Sequence, residues 1–541
     1  MKTFTQLAGF IGLFILNGAL LMAQTPSIIK DINLGPVGSA PDFMVRGGAG
    51  VNYFVANAGE TGVELWKTNG TEAGTVLVKD INPFINFSNP TNLTLFNNVL
   101  YFFADDHEHG RELWRSDGTA AGTWMVKDIN VGVGGSDGSY LTPISGYLAF
   151  TATDGTSGVE LWRTDGTDEG TTLVKDIHAT GSSHPNGNNN SFKFARIGTN
   201  FYFSADDGIN GRELWVSNGT GPGTTILKNI KTGSAGSSPQ DFTVLNSVVF
   251  FAAESDAPIG SELWKTDGTE EGTVMVKDIH PTSNSGPRQL TSVNGTLFFT
   301  ALDGVHGAEV WKTDGTAAGT LLVKDINPGA AGSSPVIRLR EGSNTLFFSA
   351  QNATDGLELW KTDGTTTSMV ADINPTGDSD PYYFFSLGTK IYFGANDGVH
   401  GVELWQTDVN TGLTTMVSDI NATSGNGSFP QFLTAFGGTM LFFADDGING
   451  RELWTLDASI LTPNEESVES IVKQVSPNPT TGAVTITGVK ESETLMLFNP
   501  LGVLIHSYQG EESVAIDLSA ESNGVYIVRS SEGGFLKIIK Q

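Results

Sequence analysis

The chain has 541 residues, of which 39% are hydrophobic and 16% are charged. This composition is too apolar for a disordered chain, and the length allows a large core. Acidic residues outnumber basic ones by 59 to 30, which gives a formal net charge of −29. Such a charge repels phosphate-rich partners, so nucleic acid is not an expected ligand. Cysteine is absent, and the fold must therefore be stabilised without disulfides.

The first 23 residues have the pattern of a secretory signal peptide. Lys2 supplies a basic start, an apolar run covers residues 7–22, and the small Ala23 offers a cleavage point. Asn17 interrupts the run, which is shorter than the ~20 apolar residues that span a bilayer, and this disfavours a membrane anchor. No later segment is as apolar. We therefore predict a secreted or outer-surface protein without a transmembrane segment in the mature chain.

An internal repeat follows over residues 24–458. Nine of the ten tryptophans occur in the phrase Glu-Leu-Trp or Glu-Val-Trp, at intervals of 45 to 53 residues. Such a period indicates one supersecondary unit that is copied along the chain and buried against its neighbours. The nine residues are Trp66, Trp114, Trp162, Trp215, Trp264, Trp311, Trp360, Trp405 and Trp454.

Each copy contains four short β-rich segments separated by turns that are rich in Gly, Asp and Asn. The short connections favour antiparallel neighbours, and the predicted class is all-β with one four-stranded sheet per repeat. The symmetry of the last hairpin predicts that Glu112 faces Lys127 and that Trp114 faces residue 124 or 125. In the first copy the same register pairs Glu64 with Lys79. The repeated tryptophans fit a core position better than a sugar-stacking surface.

The two ends of the array are complementary. The last copy stops after residues 451–454 without a fourth segment, while residues 28–32 read Ile-Ile-Lys-Asp-Ile and match the missing piece. If the first strand completes the last sheet, no edge strand is left unpaired. We therefore predict a β-propeller of about nine four-stranded blades, closed by the N-terminal strand, in preference to an open solenoid.

The repeat phrase also resembles a known family. Residues 64–75 read Glu-Leu-Trp-Lys-Thr-Asn-Gly-Thr-Glu-Ala-Gly-Thr. Residues 160–171, 262–273 and 309–320 have closely similar sequences with aspartate in place of the asparagine. They resemble the Glu-Leu-Trp-x-x-Asp-Gly-Thr repeat family of exported bacterial proteins, over residues 28–457. That family is defined by its repeat, and the resemblance implies no particular activity.

A polar linker with a proline, residues 459–470, separates the array from residues 471–541. This last region alternates short strands with turns and predicts a small β-sandwich. Its motifs are Val-Ser-Pro-Asn-Pro-Thr-Thr-Gly at 475–482, Phe-Asn-Pro-Leu-Gly at 498–502, Asn-Gly-Val-Tyr at 523–526 and Lys-Ile-Ile-Lys-Gln at the end. The alternative is a carbohydrate-binding sandwich, but no cluster of aromatic residues supports it.

These motifs resemble the type A sorting domain of the type IX secretion system. The resemblance implies a Bacteroidetes-type bacterium, transfer across the inner membrane by the signal peptide, and contact with the type IX machinery. It also implies release or attachment at the outer surface. The matching positions are Pro477, Asn478, Pro479, Gly482, Gly502, Gly524, Tyr526, Lys537 and Lys540.

An aspartate precedes the repeat glutamate by six residues in seven copies. Clustered carboxylates in a turn are ligands that calcium accepts, and the candidate metal residues are Asp106, Asp207 and Asp446. The alternative is an Asx turn, in which the aspartate bonds its own backbone. The spacing matches no known calcium loop, and no other cofactor is expected.

The sequence has no zinc-protease pair, no phosphate-binding loop followed by lysine and no cysteine nucleophile. No residue is therefore assigned a catalytic role. We predict a protein that binds an extracellular partner, either a glycan or another protein. One alternative is a hydrolase or lyase that acts on polysaccharide, with carboxylates that converge on the propeller. The other is a structural or adhesion component of the cell surface.

Overall fold

The computed structural model describes residues 25–48, 50–83, 87–186, 194–337, 345–423 and 425–457, and, towards the C-terminus, 474–476, 480–487, 494–499, 504–509, 513–519, 521–530 and 535–540. The chain forms two compact units, Met1–Leu461 and Thr462–Gln541. Across these ranges the fold is all-β, and no helix of membrane-spanning length and apolarity is found. Residues 1–23 and 459–470 lie outside the described ranges, so the signal peptide and the linker remain predictions.

The first unit consists of four-stranded antiparallel sheets, and nine of them lie within the described residues. The chain begins with β1 (Ser27–Lys30). Sheets 1 to 3 are β2 (Asp42–Arg46), β3 (Asn52–Asn57), β4 (Val63–Thr68) and β5 (Val76–Lys79); β6 (Thr91–Phe96), β7 (Val99–Asp105), β8 (Arg111–Ser116) and β9 (Trp124–Lys127); and β10 (Ser139–Ile144), β11 (Tyr147–Thr153), β12 (Val159–Thr164) and β13 (Thr172–Lys175).

The next three sheets have the same order of strands along the chain. Sheets 4 to 6 are β14 (Ala195–Ile197), β15 (Asn200–Asp206), β16 (Arg212–Ser217) and β17 (Thr225–Lys228); β18 (Gln240–Leu245), β19 (Val248–Glu254), β20 (Ser261–Thr266) and β21 (Val274–Lys277); and β22 (Arg288–Val293), β23 (Thr296–Leu302), β24 (Ala308–Thr313) and β25 (Leu321–Leu322).

The last three sheets complete the unit, and the ninth takes its fourth strand from β1. Sheets 7 to 9 are β26 (Val336–Ile337), β27 (Leu346–Asn352), β28 (Gly356–Thr362) and β29 (Thr367–Ala371); β30 (Tyr382–Leu387), β31 (Lys390–Asn396), β32 (Val402–Asp408) and β33 (Thr414–Ser418); and β34 (Gln431–Phe436), β35 (Thr439–Asp445) and β36 (Arg451–Asp457) with β1.

The N-terminal strand pairs with the last strand of the unit. Ile28 lies opposite Trp454 in an antiparallel ladder between β1 and β36. The prediction that the segment beginning at Ile28 supplies the missing strand of the last repeat is thus confirmed. Consequently, no sheet of this unit, as far as it is described, has only three strands.

Neighbouring sheets share their cores. The tryptophan of each repeat packs against the preceding sheet, as Trp114 of sheet 2 does in one cluster with Leu65 and Val78 of sheet 1. Trp66 of sheet 1 packs in the same way with Leu441 of sheet 9. Seven of the nine tryptophans are at least nine-tenths buried, so the core interpretation of these residues is confirmed. The fold is propeller-like, because the sheets pack face to face and each tryptophan fills the space between two of them.

The predicted Glu–Lys pairing is wrong. Lys127 lies opposite Leu113, and Glu112 lies opposite Ala104 on the other side of its strand. The predicted pair Glu64–Lys79 fails in the same way, since Lys79 lies opposite Leu65. The reason is a β-bulge after the leucine, which shifts the register by one residue. The predicted facing of Trp114 and residue 125 holds, because it lies on the regular side of the bulge.

These lysines instead join adjacent sheets. The Lys79 ammonium of sheet 1 donates a hydrogen bond to the Thr123 carbonyl of sheet 2 over 2.8 Å. It also lies 5.6 Å from the centre of the Trp114 ring. Lys30 makes the corresponding bond from sheet 9 to Thr75 of sheet 1, over 2.9 Å. A charge-assisted bond with a cation–π contact stabilises each of these junctions.

The second unit has two antiparallel sheets around one apolar core that includes Ile486, Leu497, Ile516 and Tyr526. This arrangement agrees with the predicted small sandwich. The strands are β37 (Gln474–Ser476), β38 (Ala483–Thr487) and β41 (Ser513–Asp517) in one sheet, and β39 (Thr494–Phe498), β40 (Leu504–Gln509), β42 (Gly524–Ser530) and β43 (Phe535–Lys540) in the other.

Candidate functional site

The glutamate of each repeat is a buried structural anchor. Glu262 has no exposed surface, and its carboxylate accepts hydrogen bonds from the Ser285 hydroxyl (2.6 Å), the Ser285 amide (3.0 Å) and the Ile279 amide (2.9 Å). The carboxylate thereby holds the segment that leads from one sheet into the next. The nine pairs are Glu64–Ser88, Glu112–Ser136, Glu160–Ser183, Glu213–Ser237, Glu262–Ser285, Glu309–Ser333, Glu358–Ser379, Glu403–Ser428 and Glu452–Ser39.

Burial dominates the protonation of these glutamates. It raises the pKa of Glu64 and of Glu112 to about 7, although the hydrogen bonds from serine and from the backbone act in the opposite direction. The pKa of Glu262 is raised for the same reason. Because each carboxylate is enclosed and surrounded by fixed donors, it serves the fold, and a ligand cannot reach it.

A second feature recurs in the first strand of the sheets. In seven of them the pairing with the second strand is interrupted by a bulge, and the first bulged residue has a left-handed backbone. In sheets 4 and 7 part of this segment lies outside the described residues. These bulge residues are Phe43 (φ 56°), Asn92 (56°), Tyr140 (62°), Asp241 (59°), Gln289 (57°), Tyr383 (51°) and Phe432 (53°).

Glycine is the residue that suits a left-handed bulge position, and a bulky side chain there costs about 1–3 kcal/mol. None of the seven bulge residues is glycine. The chain therefore keeps a side chain at this position of every described bulge despite the backbone strain. We call the set of these seven residues, of which Tyr140 and Asp241 are buried, the bulge surface.

One part of the bulge surface is polar and links adjacent sheets. Asp241 Oδ2 accepts a hydrogen bond from the Gln289 amide of the next sheet over 3.1 Å. In turn, Gln289 Oε1 accepts one from the Ile337 amide over 2.7 Å, and Asn92 Oδ1 faces the Tyr140 amide at 3.4 Å. These side chains have a structural role, since each one satisfies a backbone donor of its neighbour.

The other part is aromatic and extends over sheets 8, 9 and 1. The ring centres of Tyr383 and Phe432 are 5.4 Å apart, and those of Phe432 and Phe43 are 6.4 Å apart with the planes at 62°. Phe43 is 40% exposed. We call Tyr383, Phe432 and Phe43 the aromatic arc. Its rings contact one another but leave apolar surface open to solvent, which is the property of a binding surface.

A cavity of about 670 Å³ adjoins one end of the aromatic arc. Phe43 and Phe432 form its apolar wall, and Asn92, Arg111 and Asp137 form its polar wall. Arg111 is positioned by the Asn89 carbonyl, to which Nη1 donates over 2.9 Å, and by the Thr91 hydroxyl. Burial lowers the pKa of Arg111, and the nearby Asp105 and Asp137 oppose this effect.

Two further polar groups lie beside the other end of the arc. Arg451 is close enough to Asp42, Tyr382 and Tyr383 to interact electrostatically with them, and burial lowers its pKa. The Arg451 Nε and the Tyr382 hydroxyl are buried and have no hydrogen-bond partner within the protein. Burial also raises the pKa of Tyr382, so the hydroxyl stays protonated and can donate.

The candidate calcium residues form Asx turns. Asp207 Oδ1 accepts the amides of Ile209 and Asn210 over 2.9 and 2.7 Å, and its Oδ2 accepts the Asn210 side chain over 2.7 Å. Asp446 makes the same three contacts with Ile448 and Asn449. Local hydrogen bonds thus engage both oxygens of each carboxylate.

Asp106 forms an equivalent turn with a histidine in place of the asparagine. Its Oδ2 lies 2.8 Å from His109 Nδ1, and its Oδ1 accepts the His109 and Glu108 amides. These hydrogen bonds outweigh burial and lower the pKa of Asp106. In the part of the chain that the structure describes, no three His, Cys, Asp or Glu side chains are grouped as metal ligands would be. Calcium binding stays a prediction for Asp106, Asp207 and Asp446.

In the second unit, two of the predicted sorting residues are buried. The Tyr526 hydroxyl donates to the Ser522 carbonyl over 2.7 Å. The Lys540 ammonium donates to the carbonyls of Leu518 (2.5 Å), Ser519 (3.2 Å) and Glu521. Lys540 thus satisfies three backbone acceptors that belong to one turn.

Of the remaining sorting residues, Gly482 and Gly524 are partly exposed, Lys537 is placed by its backbone pairing, and the others lie outside the described residues. Gly482 donates its amide to the Thr480 hydroxyl over 3.1 Å, and Gly524 pairs with Lys540 across β42 and β43. Lys537 lies in β43 opposite Ile527. Four of the predicted positions are not among the described residues: Pro477, Asn478, Pro479 and Gly502.

Sequence reasoning missed both the serine anchor and the bulge surface. Eight of the nine anchor serines follow their glutamate by 21 to 25 residues, whereas Ser39 lies near the start of the chain and bonds to Glu452 of the last repeat; eight of the nine serines open a Ser-x-Pro phrase. Each bulge residue lies 22 or 23 residues before the tryptophan of its own repeat, as 92 lies before 114 and 43 before 66. Alignment of the copies on both phrases would have placed these seven residues at one position, at which the residue type differs between copies.

Comparison with known proteins identifies the C-terminal unit. Residues 474–541 match the family of the secretion system C-terminal sorting domain. A search of curated proteins gave no match. The match confirms the prediction of a sorting domain, and the repeat family resemblance is not tested by it.

Among solved structures the chain is similar to a puromycin hydrolase (14% identity, TM-score 0.34, covering 65% of this chain and 58% of that one). It is also similar to a puromycin-hydrolyzing peptidase from Mycobacterium tuberculosis (12%, 0.35, 65% and 58%). A third is prolyl oligopeptidase B from Galerina marginata (12%, 0.36, 70% and 56%). The chain spans little more than half the length of these proteins.

The sorting domain determines where the protein acts. A type IX sorting domain at the C-terminus directs a protein through the outer membrane and interacts with the secretion machinery. The chain is therefore a protein that type IX secretion exports to the exterior or the outer surface of the cell.

Proposed function

We propose that this exported protein binds an extracellular partner through the bulge surface, at the cavity beside the aromatic arc. The observation that carries this proposal is the set of seven side chains at left-handed bulge positions, where glycine would be free of strain. The cost of this backbone strain is explained if the side chains at these positions are required for packing or for binding. In the polar part they link adjacent sheets, whereas the rings of Phe43 and Phe432 present apolar surface to a cavity.

We also propose that the nine sheets close into a single ring with their first strands innermost. Four observations support closure. The strand β1 completes sheet 9, Lys30 bonds from it to sheet 1, Glu452 anchors Ser39, and Trp66 packs on sheet 9. In addition, β34 contacts β2, just as β2 contacts β6. In such a ring the bulge surface lines the central channel.

The pattern of the bulge residues favours one site over nine equivalent ones. Buried positions such as the glutamate and the tryptophan are the same in every copy, whereas the bulge residue changes from aromatic to amide to carboxylate. A multivalent binder would use the same residues in each copy. We therefore place the site at sheets 9, 1 and 2, where the aromatic arc and the cavity meet.

The experiment is a thermal-shift screen of the mature protein against a panel of polysaccharides and purified extracellular proteins. We expect at least one panel member to raise the Tm in a manner that depends on Phe432 and Phe43, since ligands stabilise the state that binds them. The variant Phe432→Ser should abolish the shift. Trp124→Ala is the control, because Trp124 is an aromatic residue as exposed as Phe43 (41% and 40%) that does not line the cavity.

The proposal is refuted if no member of the panel acts through the cavity. That result would take the form of Tm shifts that are identical in the native protein, the Phe432→Ser variant and the Trp124→Ala control. A loss of folding in Phe432→Ser would be visible as a lower Tm without ligand. In that case Phe43→Ser, which changes a more exposed residue of the same wall, replaces it.

A further inference from the structure

The two walls of the cavity differ in chemistry, and this difference defines a ligand class. The apolar wall consists of the Phe43 and Phe432 rings, which meet edge to face, with Met44 and Val45 beside them. The polar wall carries an amide (Asn92), a guanidinium (Arg111) and a carboxylate (Asp137). A ligand that fits must therefore be apolar on one face and rich in hydrogen-bonding groups on its edges.

The polar wall offers both donors and acceptors to such a ligand. Arg111 has five N–H groups in a planar fork and makes two hydrogen bonds, to the Asn89 carbonyl and the Thr91 hydroxyl. Asp137 is exposed, and its carboxylate accepts only. A hydroxyl group donates one hydrogen bond and accepts others, so neighbouring hydroxyls of one ligand can be bound by Asp137 and Arg111 together.

The charges of this wall indicate a neutral ligand. Arg111 and Asp137 carry opposite charges, and the pKa of Arg111 is influenced by both Asp137 and Asp105. The excess of one acidic residue near Arg111 and the net charge of −29 for the whole chain repel carboxylate-bearing polymers. An anionic ligand would meet one arginine and two aspartates, Asp105 and Asp137.

Resting on the proposed function, we infer that the cavity binds a neutral pyranose unit of a glycan. The C–H face of the sugar ring packs on Phe43 and Phe432, and its hydroxyls bond to Asp137, Arg111 and Asn92. A volume of about 670 Å³ lies within the ~300–1,000 Å³ of small-molecule sites and accommodates more than one sugar ring. The bound segment is thus a short stretch or an end of a chain.

Isothermal titration of the mature full-length protein tests this inference. The probes are cellohexaose, xylohexaose and mannohexaose as neutral ligands and hexagalacturonate as the acidic one. We expect at least one neutral probe to bind and hexagalacturonate to bind at least tenfold more weakly. Phe43→Ala and Asp137→Ala should each weaken the neutral probe by tenfold or more, while Trp124→Ala leaves its affinity unchanged.

Two outcomes would overturn the inference. The first is stronger binding of hexagalacturonate than of every neutral probe. The second is binding of a neutral probe that Phe43→Ala and Asp137→Ala, folded with a native Tm, leave unchanged. If no sugar binds but a protein of the screening panel acts through Phe432 and Phe43, the inference is wrong and the proposed function stands. If nothing acts through these residues, both are wrong.

Discussion

Removal of a single anchor glutamate should unfold one junction of the array, and Glu262 gives the sharpest test. Its carboxylate satisfies three donors, the Ser285 hydroxyl, the Ser285 amide and the Ile279 amide, and it has no exposed surface. In Glu262→Ala these donors lose their acceptor within a closed environment. Each buried donor left unsatisfied costs about 1–3 kcal/mol, so the expected loss for three donors is about 3–9 kcal/mol.

The smaller substitutions should form a series. Ser285→Ala removes the one charge-assisted hydroxyl bond and leaves both amides paired, which predicts a loss of about 1.5–3 kcal/mol. Glu262→Gln keeps the shape and one acceptor but turns an amide N–H towards a donor, so a loss of about 1–3 kcal/mol is expected. Glu271→Gln is the control, because Glu271 is an exposed glutamate of the same sheet.

Hydrogen exchange is the most direct assay, since the amides of Ile279 and Ser285 are themselves bonded to the carboxylate. A local loss of ~4 kcal/mol lowers the protection of these amides by about a thousandfold. The global Tm responds less. At roughly 2.1 cal/mol/K per residue, the same loss lowers the Tm of the unit Met1–Leu461 by only about 4 °C.

The reasoning is refuted if the protection of the 279–285 segment in Glu262→Ala equals that in Glu271→Gln. Such a result would mean that water replaces the carboxylate at little cost, and the burial of the nine glutamates would then need another explanation. The corresponding segment around Ser333 in the next repeat provides an internal reference, because its anchor Glu309 is unchanged in all these variants.

Three other expectations follow from the structure. Because φ of Phe43 is 56°, Phe43→Gly should be more stable than Phe43→Ala by ~1 kcal/mol in urea unfolding. At Val274, which lies in an ordinary strand, the order should be reversed, with Val274→Gly less stable than Val274→Ala. The same order of stability at both sites would contradict the argument that the backbone of Phe43 is strained. Burial raises the pKa of Glu64 and Glu112 from 4.5 to about 7, so the folded state binds more protons than the unfolded state between these pH values. The free energy of unfolding should therefore fall as the pH rises through this window, by about 1.4 kcal/mol per pKa unit and group. Calorimetry that shows a higher Tm at pH 7.5 than at pH 5 would contradict this expectation. Lys540→Met should leave three carbonyls without their donor and destabilise the C-terminal unit by ~2–4 kcal/mol. The loss should be measurable as faster proteolysis of that unit in the full chain. Proteolysis at the rate of the native protein would contradict a stabilising role of Lys540.

The strand order could be derived from the sequence because the repeat provides it nine times. A turn-rich separator after every apolar segment indicates short antiparallel strands, and comparison of the two ends of the array pairs Ile28 with the sheet of Trp454. The burial of the tryptophans follows from the same argument. A residue that every copy retains at the same place packs against the neighbouring copy.

The register of the glutamate could not be derived in this way. Hairpin symmetry assumes an uninterrupted ladder, and one extra residue in β9, Val126, moves Lys127 away from Glu112. The partner of the glutamate is a serine more than twenty residues further along, beyond the reach of any pairing rule for adjacent strands. Only the three-dimensional path from one sheet to the next brings Glu262 and Ser285 together.

The candidate site was missed because it lies where the repeat varies. An alignment of copies emphasises positions that recur, and those positions are the buried ones, Glu262 and Trp311 among them. The bulge residue recurs in backbone conformation but not in chemistry, as the pair Phe43 and Asp241 shows. A left-handed φ cannot be read from a phenylalanine, whose ordinary preference is for the extended strand.

The aromatic arc lies at the junction of the first and last sheets, so its formation depends on how the two ends of the array pair. Sheets 8, 9 and 1 supply Tyr383, Phe432 and Phe43, so the arc requires that β1 pairs with β36 and brings sheet 1 beside sheet 9. An array left open at this junction would separate Phe43 from Phe432 and remove the apolar wall of the cavity. A truncation that deletes β1 should therefore weaken ligand binding as strongly as Phe43→Ala does, even though β1 contributes no residue to the cavity. The repeated anchors thus hold the sheets together, and the pairing of β1 with β36 brings together residues of the first and last sheets that differ between copies.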